Sequence, residues 1–131
     1  MKGFIGNIER LTTENSDFRR VLYTAHHSQL VVMCLQPNED IGEEVHPLDQ
    51  FIRIEEGAGR VVLDGLAHEV SGGSAILIPA GIKHNVINTS DTHFLKLYTL
   101  YAPPEHRDGI VRKTKAEAVV EEENFDGKTT E

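Results

Sequence analysis

The strongest structural signal in the chain is a segment near its middle, which reads Gly73-Ser74-Ala75-Ile76-Leu77-Ile78-Pro79-Ala80-Gly81-Ile82-Lys83-His84-Asn85-Val86-Ile87-Asn88. Gly73 would turn the chain into a strand, and Pro79 with Gly81 would form the tight turn that follows. Asn88 would end the next strand. These four residues serve backbone geometry, whereas His84, which we expect to face inward, can bind a metal ion or carry a proton. The segment therefore predicts two short strands joined by a turn, with one candidate functional side chain.

Short strands separated by turn residues continue on both sides of this segment. The candidate strands recur about every ten residues and occupy 18–24, 29–36, 43–46, 50–55, 59–63, 67–70, 74–78, 84–88 and 93–101. Asp64-Gly65 between two apolar runs is typical of a type I′ hairpin, because both residues tolerate positive φ. This spacing predicts an all-β sandwich or barrel rather than strands that alternate with helices.

The pattern changes after Pro103-Pro104, because proline cannot continue a central strand. Thr114-Lys115-Ala116-Glu117 has the form of a capping box, in which a threonine side chain opens a helix and a glutamate three residues later reaches back to it. We therefore predict a short C-terminal helix over about 115–123 that closes one end of the barrel. The acidic tail 124–131 is polar throughout, and we expect it to be frayed.

Composition limits the classes of function that the chain can have. Its 131 residues, 39% of them hydrophobic, suffice for one domain over 1–131 with a core at about 18–104. The net charge of −8 disfavours nucleic acid and anionic membranes as partners. We see neither a spanning helix nor a signal peptide, and the single cysteine, Cys34, allows no internal disulfide. These features predict a cytoplasmic protein with a buried, inert thiol.

Two motifs carry a resemblance to a known family. Residues 73–88 match the second motif of the cupin superfamily at every fixed position: Gly, five residues, Pro, one residue, Gly, two residues, His, three residues, Asn. Residues 38–57 match the first cupin motif in part, with His46 as its second histidine and Gly57 as its closing glycine. The chain thus resembles a small, single-domain cupin of the conserved-barrel type. The resemblance implies an all-β double-stranded β-helix, or jelly-roll, barrel that holds a divalent metal ion.

Further runs make the chain similar to small cupins labelled mannose-6-phosphate isomerase-like: Glu44-Val45-His46-Pro47, Asp49-Gln50-Phe51 and Tyr101-Ala102-Pro103-Pro104-Glu105-His106. That label implies a sugar as the ligand and isomerisation as the reaction.

The resemblance assigns the metal-ligand positions to Glu44, His46, Gln50 and His84. Glu44 stands where the family has its first histidine, and Gln50 stands where it has a glutamate. The set still contains one negatively charged ligand, as in the family, because Glu44 supplies a carboxylate and the Gln50 amide is neutral. Two histidines and one carboxylate suit Fe(II), and the same trio also suits zinc, nickel or manganese. The alternative is a barrel without a metal, in which Glu44 is solvated and His46 is hydrogen-bonded.

The alternation of side chains along a strand also predicts which residues converge. Glu44 and His46 are two residues apart and therefore share a face of one strand. Gln50 shares a face with Ile52 and Ile54 in the next strand. If the two isoleucines point into the barrel, Gln50 points inward as well.

Two further places in the sequence could contact a substrate. Lys96 and Tyr98 share a face of the last barrel strand and would offer a cation and a phenol to an acidic or hydroxylated ligand, if that face points inward. The opposite face carries Leu95, Leu97, Thr99 and Tyr101. Either face can be the buried one. His106 lies in a loop that could fold over the mouth of the barrel.

Three functions are compatible with such a site. In a sugar isomerase the metal would hold neighbouring oxygens while Glu44, as the catalytic group, moves a proton. In an Fe(II)-dependent dioxygenase, open positions on the iron would take substrate and dioxygen. The third is a non-catalytic binding or sensor barrel. We expect a homodimer in each case, because jelly rolls leave sheet edges to cover and Phe51 faces outward.

Overall fold

The computed structural model describes residues 1–121 and 123–131, and this part of the chain forms an all-β barrel with short helices near its ends. In chain order the elements are α1 (Ile8–Thr13), β1 (Arg19–Thr24), β2 (Gln29–Leu35), β3 (Asp49–Glu56), β4 (Ala58–Leu63), β5 (Leu66–Ser71), β6 (Ala75–Ile78), β7 (His84–Asn88), β8 (Leu95–Ala102), β9 (Val111–Arg112) and α2 (Lys115–Val120).

The strands form two antiparallel sheets. The large sheet has the order β6-β3-β8-β2-β1-β9, and the small sheet has the order β5-β4-β7. Neighbours in the large sheet, such as β3 and β8, are distant in sequence, as expected when a jelly roll folds its hairpins over one another. The predicted fold class, an all-β jelly-roll barrel with a short C-terminal helix, is confirmed.

The core lies between the two sheets. The large sheet contributes Val31, Met33, Leu35, Ile52, Ile54, Leu95 and Leu97, and the small sheet contributes Val61 of β4 and Val86 of β7. Each of these side chains is almost fully buried because strand residues of one parity face the opposite sheet. Cys34 is 2% exposed, and burial raises the pKa of its thiol, as expected for an inert cysteine.

The sequence placed most strands correctly. β7 has the predicted bounds, and the β4–β5 hairpin turns at Asp64 and Gly65, with φ values of 49° and 80°. The predicted strand at 43–46 is wrong, because this segment makes only one isolated bridge, between Glu44 and His84. Its neighbour Pro47 has no N–H to donate, so regular pairing cannot extend past it.

Two elements were not predicted. α1 begins after Asn7, whose side chain accepts a hydrogen bond from the Arg10 N–H at 3.0 Å, as a helix N-cap does. β9 is only two residues long and pairs with Arg19 and Arg20 of β1 at the edge of the large sheet. Neither element is long enough to produce a clear periodic pattern in the sequence.

The C-terminal helix starts as predicted and ends earlier. Thr114 Oγ1 accepts from the Glu117 N–H at 3.2 Å, while Glu117 Oε2 accepts from the Lys113 N–H at 2.8 Å. The helix ends at Val120 rather than near residue 123, and Glu122 lies outside the described residues.

The tail over 124–131 differs from the frayed segment that we expected. The Thr130 N–H donates to the Thr24 carbonyl at 3.0 Å, and Glu131 Oε2 accepts from the Tyr23 hydroxyl at 2.5 Å. These contacts fix the tail along β1, because its polar side chains find partners on that edge.

Candidate functional site

The inner wall of the barrel changes from apolar to polar towards one end. On β3, Gln50 lies on the same face as the buried Ile52. On β7, His84 lies on the same face as the buried Val86. Gln50 is 4% exposed and His84 is buried, so both polar groups lie inside the barrel. The prediction that Gln50 shares the inward face with the isoleucines of β3 is confirmed.

Gln50 has only half of its amide satisfied. Its Nε2 donates to Thr99 Oγ1 at 3.0 Å. Its Oε1 is buried and has no hydrogen-bond partner among the described residues. Leaving a buried polar atom unpaired costs about 1–3 kcal/mol, so such an atom normally faces a water molecule, an ion or a ligand.

His84 presents a defined nitrogen to the site. Its Nδ1 lies 2.8 Å from the Ile82 carbonyl oxygen. Because a carbonyl only accepts, Nδ1 carries the proton and Nε2 keeps the lone pair that binds a proton or a metal. Two backbone hydrogen bonds of 2.9 Å between Glu44 and His84 hold the two residues side by side.

His46 lies between two carboxylates. Its Nε2 is 2.9 Å from Glu44 Oε2, and its Nδ1 is 3.6 Å from Glu105 Oε2. The hydrogen bond to Glu44 raises the pKa of His46 above the ordinary histidine value, although burial opposes the change. The predicted shared face of Glu44 and His46 is therefore confirmed, even though no regular strand forms there. The His46 and His84 rings lie 5.2 Å apart.

Two cavities meet at Glu44. The small cavity, of about 10 Å³, has the polar lining residues Glu44, Gln50, His84 and Tyr101. The large cavity, of about 400 Å³, opens at the mouth of the barrel and is lined by Glu44, His46 and His106 among others. A volume near 10 Å³ corresponds to one water-sized sphere. The small cavity thus has room for one atom, and the large one has room for a small molecule.

Tyr101 and His106 form a neutral pair at this mouth. The Tyr101 hydroxyl and His106 Nε2 are 3.4 Å apart, and the rings meet edge to face with centroids 5.2 Å apart. Burial lowers the pKa of His106 to about 3 and raises the pKa of Tyr101. Both side chains therefore stay uncharged near neutral pH. The loop position predicted for His106 matches its place in the structure.

Gln29 of β2 fixes that loop. Its Nε2 donates to Thr24 Oγ1 at 2.9 Å and to the His106 carbonyl at 2.7 Å. Its Oε1 accepts from the N–H groups of Glu105 and His106, at 3.3 and 3.0 Å. The loop is thus held over the mouth by a buried amide whose every group is paired.

Lys96 and Tyr98 do not reach the cavity, which corrects the expectation that they contact a substrate. Lys96 Nζ donates to the Thr13 carbonyl at 2.5 Å on the outer side of the large sheet. Tyr98 packs near Phe51, with ring centroids 6.4 Å apart. The other face of β8, which carries Leu95, Leu97, Thr99 and Tyr101, is the buried one. Lys96 faces outward because its neighbours Leu95 and Leu97 face the core, and the Thr13 carbonyl of the unpredicted helix α1 accepts a hydrogen bond from it there.

The predicted ligands fit a divalent cation in their chemistry. Gln50 Oε1 and His84 Nε2 are suitable donors beside the Glu44 carboxylate. Within this set, His46 Nε2 and Glu44 Oε2 lie 2.9 Å apart, so two of the predicted ligands face each other. Within residues 1–121 and 123–131, however, no three His, Cys, Asp or Glu side chains form a ready metal site.

Sequence reasoning missed two residues at the mouth, Arg19 and Glu105. Arg19 shares its strand parity with buried Val21, which is a signal that it points inward. Glu105 comes from an irregular loop, and no periodic pattern indicates where its side chain lies.

Comparisons with known proteins agree with this architecture. The family model described as a cupin domain matches residues 31–101, and the chain belongs to this family. YrkC of Bacillus subtilis, described as uncharacterized, is 48% identical over 129 residues, which are 93% of this chain and 69% of that protein. L612 of Acanthamoeba polyphaga mimivirus, also described as uncharacterized, is 45% identical over 113 residues, which are 82% of this chain and 70% of that protein.

A crystal structure of BH2720 from Bacillus halodurans is similar over nearly the whole chain. It aligns with a TM-score of 0.89 and 48% identity, and the alignment covers 92% of this chain and 96% of that one. These similarities support the cupin superfamily, and they do not extend to the mannose-6-phosphate isomerase-like type. Within the described residues, no helix is both long and apolar enough to cross a membrane.

Proposed function

We propose that this cupin binds a small polar molecule in its barrel, at a site where Glu44, His46, Gln50 and His84 hold one divalent cation. The observation that carries the proposal is Gln50 Oε1, a buried acceptor without a partner that belongs to the lining of an atom-sized cavity. His84 lines the same cavity with its metal-competent nitrogen unblocked. The adjoining cavity of about 400 Å³ supplies room for the molecule.

The chain's own residues suit proton transfer on such a molecule. A bound divalent cation would polarise a carbonyl or hydroxyl oxygen of the ligand. Glu44 lies at the boundary of both cavities, so its carboxylate can take up and return a proton of the bound molecule. Tyr101 and His106 stay neutral and can orient ligand oxygens by hydrogen bonds. This arrangement favours isomerisation of a hydroxylated carbonyl compound.

Elemental analysis of the purified protein tests the cation site. We expect about one equivalent of a divalent metal in the wild type and in His68→Ala, a matched control whose histidine is exposed on β5. The double variant His46→Ala/His84→Ala should lose it. Equal metal content in all three proteins would remove the site.

Hydrogen exchange tests the chemistry separately. Ketoses and aldoses with and without an acidic group would be incubated in D₂O and followed by NMR. An isomerase incorporates deuterium at the carbon next to the carbonyl, and Glu44→Gln should abolish this incorporation. Binding without any exchange would instead support a non-catalytic sensor barrel.

A further inference from the structure

Among the residues that the structure describes, one cation at the mouth of the barrel has no acidic partner. Arg19 is the first residue of β1, is half-buried, and lines the large cavity together with His46 and His106. Its Nε is buried and unpaired, and its guanidinium lies over the Phe18 ring with its carbon 5.3 Å from the ring centroid. Among the described residues no carboxylate forms an ion pair with it.

The other cations that line the large cavity are neutralised. Arg112 contacts Glu123 Oε1 at 2.5 Å, and Lys115 contacts Asp40 Oδ1 at 2.5 Å. Holding a charged arginine half-buried without an ion pair costs free energy of folding, and a bound anion would offset this cost. Within residues 1–121 and 123–131, Arg19 is therefore the cation of this cavity that is available to a ligand.

Two of the carboxylates that line the cavity contact His46. Glu44 and Glu105 lie on either side of His46 and share their charge with that ring. Arg19 also acts on the site at a distance: its charge contributes to the low pKa of His106 and opposes the rise of the pKa of His46. Arg19 and His46 thus both line the cavity, and the two carboxylates beside His46 contact that ring.

We propose that Arg19 binds the carboxylate of a small organic acid, whose polar remainder extends towards Glu44 and the small cavity. This assignment rests on the proposed function, because it names the class of molecule that the same site binds. A guanidinium offers a planar pair of N–H donors that matches a carboxylate. A single unpaired arginine balances one negative charge, whereas a phosphate would bring up to two into a cavity that already contains several glutamates.

NMR titration of the full chain with matched probes tests the assignment. The probes are lactate and its neutral amide lactamide, gluconate and the neutral polyol sorbitol, and inorganic phosphate. We expect each acid to bind about tenfold more tightly than its neutral counterpart, because one charge-assisted contact is lost in the latter. Arg19→Gln should remove this preference, and Arg19→Lys should keep part of it.

Arg20→Gln is the matched control, because the neighbouring arginine is exposed on the outer face and pairs with Asp17. It should behave like the wild type. Equal affinity for acids and neutral probes, a preference that survives in Arg19→Gln, or tighter binding of phosphate than of lactate would overturn the assignment. So would the absence of binding by both acids.

Metal analysis of the same samples separates this proposal from the previous one. Arg19→Gln should keep the metal content of the wild type, because Arg19 is not among the proposed ligands. An acid preference that depends on Arg19 in a protein without metal would support the carboxylate assignment while the cation site fails.

Discussion

Two buried glutamines at the polar end of the barrel differ in how completely their amide groups are hydrogen-bonded. Gln29 has all its amide groups paired, and its hydrogen bonds hold the 105–106 loop in place. Gln50 has one bond, to Thr99, and leaves Oε1 unpaired beside an atom-sized cavity. The same side chain at similar burial is fully paired in one place and half-paired in the other, and we propose that the first serves stability and the second serves binding. The difference between the two glutamines is whether every polar atom of the amide has a hydrogen-bond partner within the protein.

Removal of the paired amide should have the largest effect. Gln29→Leu leaves the N–H groups of Glu105 and His106 and the Thr24 hydroxyl without their partner, which should lower the free energy of unfolding by about 2–4 kcal/mol. Chemical denaturation measures the change. Gln36→Leu, at an exposed glutamine just beyond β2, is the control and should change stability by less than about 0.5 kcal/mol. Equal effects of the two substitutions would show that the 105–106 loop does not depend on Gln29.

The loop that Gln29 holds should make the protein sensitive to acid through His106. Burial lowers its pKa to about 3, so the folded protein resists protonation that the unfolded chain accepts below about pH 6.5. Stability is therefore fully present above that pH and falls as the pH decreases towards 3. Between pH 7 and 5 the wild type should lose on the order of 1 kcal/mol more than His106→Gln.

Thermal or urea unfolding of both proteins at the two pH values measures this difference. The raised pKa of His46 changes stability with pH in the opposite direction. Because His46 is present in both proteins, its effect largely cancels in the comparison. Parallel pH profiles of wild type and variant would mean that the loop opens and solvates His106 in the native state.

Replacement of the half-paired amide should have the smallest effect on stability and should weaken binding of the cation. Gln50→Leu/Thr99→Val removes both partners of one hydrogen bond together with the unpaired Oε1, so stability should stay within about 1 kcal/mol of the wild type. The metal content should fall because one donor is lost. A loss of stability as large as that of Gln29→Leu would contradict the functional role of Gln50.

Much of this site follows from the sequence, because its residues lie on regular strands or in a spaced motif. His84 and Gln50 were found from motif position and strand parity, and Glu44 with His46 from their separation by two residues. The inward face of β8 could not be decided, since both of its faces alternate regularly and the helix that holds Lys96 outside was not predicted.

The residues at the mouth of the barrel were harder to predict from the sequence than those on its inner wall. Glu105 and the Gln29 contacts depend on a loop without periodicity, and the pairing of β1 with the very short β9 sets the position of Arg19. Long-range contacts of this kind leave no local pattern in the sequence.

Anomalous diffraction from crystals of the full chain grown with a divalent transition metal is the most direct test of the proposed cation site. We expect one strong anomalous peak inside the barrel, within bonding distance of Glu44, His46, Gln50 and His84. Peaks confined to surface histidines such as His26 and His27, with none inside the barrel, would contradict it.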